Sequence, residues 1–288
     1  MNFFSVGVII TIRKTTQKEA DTLKIFDAHV HIFPDKIAAK ASVNIGKFYD
    51  LHMDFDGSVG TLIDMYTKAG VSKCLVQSVA TSPQQVQSIN NFISQSVADH
   101  PHMFVGFCSL HPLMTREEIQ SEIDRAIALG LKGIKLHPDF QDFNIDDRKA
   151  YDIYEAAEGR LPILFHTGDF RYDRSTPRRL ANVLKDLPKL IAIGAHFGGW
   201  SEWDKGKHYL ADNPNVYVDT SSSLYSLSPE TAKDYITAFT PDRVMFGTDY
   251  PMWNINDELK YMEALDLSDE DREKIMYKTA CRLLNVEE

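Results

Sequence analysis

The chain reads as an α/β protein whose units close into one (β/α)₈ TIM barrel. Three features of the sequence point there. Eight short apolar runs alternate with amphipathic helical stretches, the pattern of parallel strands joined by right-handed crossovers. From residue 103 onward the runs start 25 to 29 residues apart, one strand-plus-helix unit each. No Pro/Gly/Ser-rich linker or low-complexity tract divides the 288 residues, and a barrel of this type commonly takes about 250 residues as a single domain.

In chain order the runs are 24–26, 71–79, 103–110, 132–136, 161–165, 190–195, 215–218 and 243–247. The helices between them carry readable ends. Leu62, Ile63 and Tyr66 give the apolar face of a helix that closes at Gly70. Ser82-Pro83 opens the next, followed by Val86, Ile89, Ile93 and Val97 at helical spacing. Thr115 to Glu118 forms a capping box whose helix closes at Gly130. Leu110-His111-Pro112 and Leu136-His137-Pro138 end two strands with the same tripeptide, where proline halts pairing for want of a donor. Residues 32–58 form the longest stretch outside the repeat, expected to be a lid or partly structured. Residues 1–23 read as an N-terminal extension, a strand or flap, and 24–288 as the catalytic barrel.

Composition excludes several classes. The formal net charge of −10, from 31 basic and 41 acidic side chains, disfavours a nucleic-acid footprint. The three cysteines lack CxxC spacing and read as buried small residues of a reducing compartment. No apolar run reaches the roughly 18 residues of a membrane helix. The apolar start precedes its basic residues and has no cleavage motif, unlike a signal peptide. A cytoplasmic protein acting on a small molecule, free or as a homo-oligomer, is expected.

Reactive groups of such barrels sit at the carboxyl ends of the strands. Those exits carry His29 and His31, then Gln77, His111, Lys135 with His137, His166, His196, Asp219 and Asp249. His29 and His31, two residues apart in a strand, share a face, so both imidazoles aim at one point, as a metal shell requires. By the same alternation Lys135 and His137 share a face. His52, His100, His102 and His208 fall in loops or at helix ends.

The motifs Phe26-Asp27-Ala28-His29-Val30-His31, Gly133-Ile134-Lys135-Leu136-His137-Pro138, His166-Thr167-Gly168-Asp169, Ala195-His196-Phe197-Gly198-Gly199 and Phe246-Gly247-Thr248-Asp249-Tyr250-Pro251 resemble the amidohydrolase superfamily. Within it they are similar to the branch that includes aminocarboxymuconate-semialdehyde decarboxylase and γ-resorcylate decarboxylase. The resemblance implies one divalent ion on His29, His31, His166 and Asp249. Three neutral nitrogens and a carboxylate suit zinc first, with manganese or iron open. It implies Asp249 as general base as well as ligand and His196 as proton carrier. In two-metal relatives a carbamylated lysine bridges the ions, and Lys135 holds the corresponding strand position; otherwise it would meet a substrate anion or serve as a structural ion-pair partner.

Beyond His166 a loop rich in arginine places Arg171 and Arg174 where a substrate carboxylate would enter. Trp200, with Phe197, Trp203 and Trp253, offers an apolar wall. The expectation is a metal-dependent hydrolase of an amide, lactone or ester in a small carboxylated metabolite. The alternative is non-oxidative decarboxylation of an aromatic or unsaturated acid. A non-catalytic metal-binding barrel is the reading from another class.

Overall fold

The structure, a computed structural model, describes residues 23–287. The expected extension over 1–23 therefore lies, except for its last residue, outside the described residues. The strands are β1 (Phe26–His31), β2 (Lys73–Gln77), β3 (Phe104–Gly106), β4 (Cys108–Ser109), β5 (Ile134–Leu136), β6 (Ile163–Phe165), β7 (Ala192–Gly194), β8 (Val216–Asp219) and β9 (Val244–Met245). Neighbours pair in parallel in two runs, β1-β2-β3 and β4 through β9. The single strand expected over 103–110 is split at Phe107, whose ring occupies the space that a side chain on Gly133 would need. The Phe107 amide still donates to Val76 O at 3.0 Å, so β3 and β4 act as one strand. Closure comes from Ala28 N to Phe246 O at 2.8 Å and His31 N to Tyr250 O at 2.7 Å, which join β1 to the exit of β9. The result is the barrel that the repeat predicts.

The helices that follow the strands are α1 (Asp35–Tyr49), α2 (Val59–Ala69), α3 (Val86–Asp99), α4 (Arg116–Ala128), α5 (Pro138–Gln141), α6 (Arg148–Ala157), α7 (Pro177–Asp186), α8 (Trp203–Leu210), α9 (Pro229–Phe239), α10 (Ile255–Glu263), α11 (Asp269–Glu273) and α12 (Thr279–Leu284). The capping box at Thr115 and the left-handed Gly70 terminate their helices as the sequence implies. The long stretch after β1 is largely the helix α1.

Two apolar layers result. Between strands and helices lie Val30, Val76, Leu110, Ile134, Phe165 and Val218 among many others. Inside the barrel Phe26, Ala28, Leu75, Phe107, Leu164 and Met245 fill the lower lumen, closed from beneath by Tyr277, Ala280, Cys281 and Leu284. That leaves the upper lumen for polar groups.

β1 breaks alternation to supply them. Phe26 and Ala28 face the lumen, so a regular strand would turn His29 and His31 outward. The register against β2 shifts between Asp27 and Val30, one extra residue on β1. Beyond that bulge Val30 packs outward, and His29 and His31 line the upper lumen. Asp27 Oδ1 accepts the His29 amide at 3.0 Å, satisfying a donor the ladder leaves unpaired. Among the described residues no helix is long and apolar enough to cross a membrane.

Candidate metal centre

Three of the four expected ligands meet. His29 Nε2 and His31 Nε2 are 3.3 Å apart, and Asp249 Oδ1 lies 3.4 Å from the first and 3.5 Å from the second. Ligand atoms about 2.0–2.1 Å from a tetrahedral ion lie about 3.3 Å from one another. This near-equilateral triangle therefore fits one face of a small divalent cation. Burial lowers the pKa of His29 to about 4 and that of His31 in the same direction, so both nitrogens keep their lone pairs. Asp249 is held well below the usual carboxylate range: the neighbouring histidines outweigh the opposing effect of burial. Two neutral imidazoles and one carboxylate are the protonation states that a cation needs.

Two of the three donors are aimed by a partner. Asp219 Oδ2 accepts His29 Nδ1–H at 2.9 Å, which turns Nε2 toward the triangle. The Asp219 pKa falls to about 2, because the hydrogen bonds and charge of His29 and His196 overcome burial. Ser222 Oγ donates to Asp249 Oδ2 at 2.6 Å, leaving Oδ1 for His29 and His31, and Trp253 Nε1 donates to Ser222 Oγ at 2.8 Å. Asp249 has φ of 68°, a left-handed conformation that a side chain seldom adopts, and its amide is tied to His29 O at 2.9 Å. Underneath, Asp27 accepts from Tyr66 Oη at 2.5 Å and Thr248 Oγ1 at 2.6 Å, binding the β1 bulge to the loop that carries Asp249. Burial raises the Asp27 pKa to about 6.

The remaining candidates surround the triangle. Lys135 is fully buried, with Nζ 3.1 Å from His29 Nε2, and burial brings its pKa down to about 8. His196, with φ of 61°, directs Nδ1 to Ser221 O at 3.0 Å and Nε2 to His166 Nδ1 at 3.1 Å. With Nδ1–H donated to the carbonyl, Nε2 is the basic nitrogen. His166 stands apart from the triangle and instead joins His137 and Asp139, ligand atoms within 4.8 Å of one another. Its buried Nε2 has no hydrogen-bond partner, and neither has Asp139 Oδ1. Gly168, two residues on, has φ of 79°, and a Cβ there would lie 2.5 Å from the Gly199 carbonyl carbon. Only glycine lets the loops after β6 and β7 close over one another at that point.

A cavity of about 740 Å³ opens onto these groups, with His29, His31, Lys135, His166, His196 and Asp249 on its floor, together with His137. Arg171, Arg174 and Trp200, expected to meet the substrate, are not among its lining residues. Arg171 is committed to Asp169 through Nε at 2.9 Å and Nη2 at 2.7 Å, and to Phe48 O at 2.7 Å. Its guanidinium also stacks among Phe48, Tyr49, Tyr172 and Trp200. Arg174 pairs with Asp142 at 2.5 Å, and Trp200 meets Tyr49 edge-on at 5.3 Å. These residues build the wall behind the cavity, because local carboxylates and rings saturate them first. The sequence reading assigned no role to Asp27, Asp139, Tyr49, Ser221 or Ser222. Asp27 lies within the β1 motif that carries His29 and His31; Tyr49, whose Oη is 2.9 Å from His137 Nε2, has no signal in the sequence.

A parallel barrel carrying such a donor triangle at its carboxyl end is the architecture of metal-assisted barrel enzymes. The chain belongs to the amidohydrolase family, whose sequence profile matches residues 26–286. It is 24% identical over 269 residues to γ-resorcylate decarboxylase of Polaromonas sp. strain JS666, covering 73% of this chain and 80% of that protein. It is 37% identical over 206 residues to 2-amino-3-carboxymuconate-6-semialdehyde decarboxylase of Dictyostelium discoideum, covering 57% of this chain and 56% of that one. In three dimensions it matches 5-carboxyvanillate decarboxylase from Novosphingobium aromaticivorans, complexed with manganese and 4-hydroxy-3-methoxy-5-nitrobenzoic acid. There the TM-score is 0.71 at 16% identity, over 92% of this chain and 97% of that one. The hydrolase expectation is thereby corrected, since these relatives are decarboxylases. The ligand motifs did not separate the two reactions because either one uses the same donors to polarise a substrate oxygen.

Proposed function

We propose that the protein is a metal-dependent, non-oxidative decarboxylase of a small aromatic or unsaturated carboxylic acid. The observation that carries the reading is a cation-shaped face, His29, His31 and Asp249, with the buried Lys135 ammonium 3.1 Å from one of its corners. One side can hold a divalent ion and the other can neutralise a substrate oxyanion. A bound ion would supply Lewis acidity to the substrate's oxygens. His166 is the candidate fourth ligand, its unpartnered ring nitrogen being the donor still unaccounted for. The donor set suits zinc or manganese.

The protein's own groups then have distinct tasks. In the reaction the bond from ring or alkene carbon to carboxylate breaks, carbon dioxide leaves, and the electron pair stays on carbon. A proton must reach that carbon. The proton carrier would be His196 Nε2, which takes up a proton from solvent before passing it to carbon, since Nδ1–H is held by Ser221 O. Lys135 pairs with the substrate's negative charge, and the low pKa of Asp249 keeps it a carboxylate.

Stripping the protein of metal, reconstituting it with manganese or zinc, and supplying γ-resorcylate and 5-carboxyvanillate tests the reading. Metal-dependent release of carbon dioxide is expected. Consumption of acids without carbon dioxide, or release unaffected by chelation, would overturn it.

A further inference from the structure

The cavity continues past the polar floor into an apolar arm. One wall is Ile37, Ala41, Ile45 and Phe48 of α1; Ile89 and Phe92 of α3 line it too, with the polar Asn44, Gln85 and Ser88 among them. The α1 residues recur at i, i+4, i+8 and i+11, a single stripe along the helix. That stripe does not pack on the core. α1 seats a different one against the body, Ala38, Ser42 and Gly46, all buried.

The helix cannot roll to hide its larger residues. A Cβ on Gly46 would come within 2.6 Å of Leu51 O, Ser42 Oγ donates to Phe55 O at 2.6 Å, and Arg171 grips Phe48 O at 2.7 Å. Ile37 is consequently 45% exposed beside the cavity. A helix fixed so that its apolar stripe faces a cavity continuous with donor groups is built to cover an apolar ligand part. Size agrees: about 740 Å³ lies within the roughly 300–1,000 Å³ typical for drug-sized ligands, more than one substituted ring requires. Lys36 is the one charged residue lining this arm among the described residues.

We infer that the arm between α1 and α3 binds an alkyl tail several carbons long, carried by the acid whose carboxylate sits on the polar floor. The floor's part in this rests on the decarboxylase reading; the arm's preference for a tail does not.

The test is calorimetric binding of 2,4-dihydroxy-6-alkylbenzoates, methyl through heptyl, to the metal-loaded protein, with carbon dioxide release followed in parallel. Each methylene that enters the arm should tighten binding about three- to fourfold, so pentyl should exceed methyl by tenfold or more. Ile45→Asp and Ile89→Ser should flatten the series while leaving the methyl homologue within about threefold of its original Kd. Equal binding of methyl and pentyl homologues by the unaltered protein overturns the arm, even if both release carbon dioxide. Tighter pentyl binding without carbon dioxide release supports the arm and fails the decarboxylase reading alone.

Discussion

Asp219 and His29 form a buried pair in which Oδ2 accepts Nδ1–H at 2.9 Å, and that bond decides which nitrogen of His29 faces Asp249. Removing the charge of Asp219 while keeping its shape should loosen the aim of the ring. Asp219→Asn is expected to weaken divalent-metal affinity about 10- to 100-fold, the usual range for such outer partners. Competition against a chromogenic chelator measures it, and unchanged affinity would show that the ring needs no such brace.

His31 and His196 should separate ligand from proton carrier. His31→Ala is expected to lose stoichiometric metal. His196→Ala should retain it and turn over about a hundredfold more slowly or worse, the scale of lost acid–base catalysis. Elemental analysis beside kcat distinguishes them. Two metals per chain in the parent protein, with a carbamate on Lys135, would replace the single-ion arrangement.

Arg171 is expected to act through stability. Asp169 is wholly buried, so Arg171→Ala strands its carboxylate. Breaking a buried pair in this way costs about 3–5 kcal/mol; the partial exposure of Arg171 puts this case at the lower end. Urea denaturation should show the loss, and adding Asp169→Asn should recover part of it. A double variant no more stable than Arg171→Ala would mean that the aromatic nest around the guanidinium carries the effect.

Glu258 predicts a pH dependence. It is 1% exposed, Oε2 has no partner, and burial first, then the charges of Asp27 and Asp249, raise its pKa from 4.5 to about 9. A folded-state pKa above the unfolded one means that the folded chain keeps a proton the unfolded chain has released. Its contribution is fully present below about pH 4.5 and is lost as pH rises toward 9, by up to about 1.4 kcal/mol per pH unit. Glu258→Gln should therefore unfold with a flatter pH profile and be the more stable form at pH 8, with little difference at pH 4. Parallel profiles for the two proteins would place the titration elsewhere.

The barrel was legible because its unit repeats: each apolar run from residue 132 to 247 became a strand in parallel register. The donors of β1 and the β9 exit were legible because strand ends are where barrels keep reactive groups. Arg171 and Arg174 misled because sequence shows a charge and not what already neutralises it. Asp169 is two residues from Arg171, but Asp142 is 32 residues from Arg174 and meets it only through the fold. Tyr49 was invisible for the same reason, being brought to His137 across 88 residues by α1. The choice between hydrolysis and decarboxylation depends on the acid seated above the donors, and no residue pattern at the strand ends encodes it.

The extra residue in β1 acts as a frameshift written in side chains rather than codons. The two residues between Asp27 and Val30, Ala28 and His29, face one β2 residue, so sequence neighbours share the lumen side that strict alternation would split. Deleting Ala28 would restore strict alternation with Phe26, His29 and His31 at one parity, keeping both imidazoles in the lumen at the loss of one apolar lumen residue. Such a chain could still close its barrel. The bulge thus lets one strand keep a full apolar plug below and two donors directly above it, and it is the plug rather than the donors that a one-residue deletion would shorten.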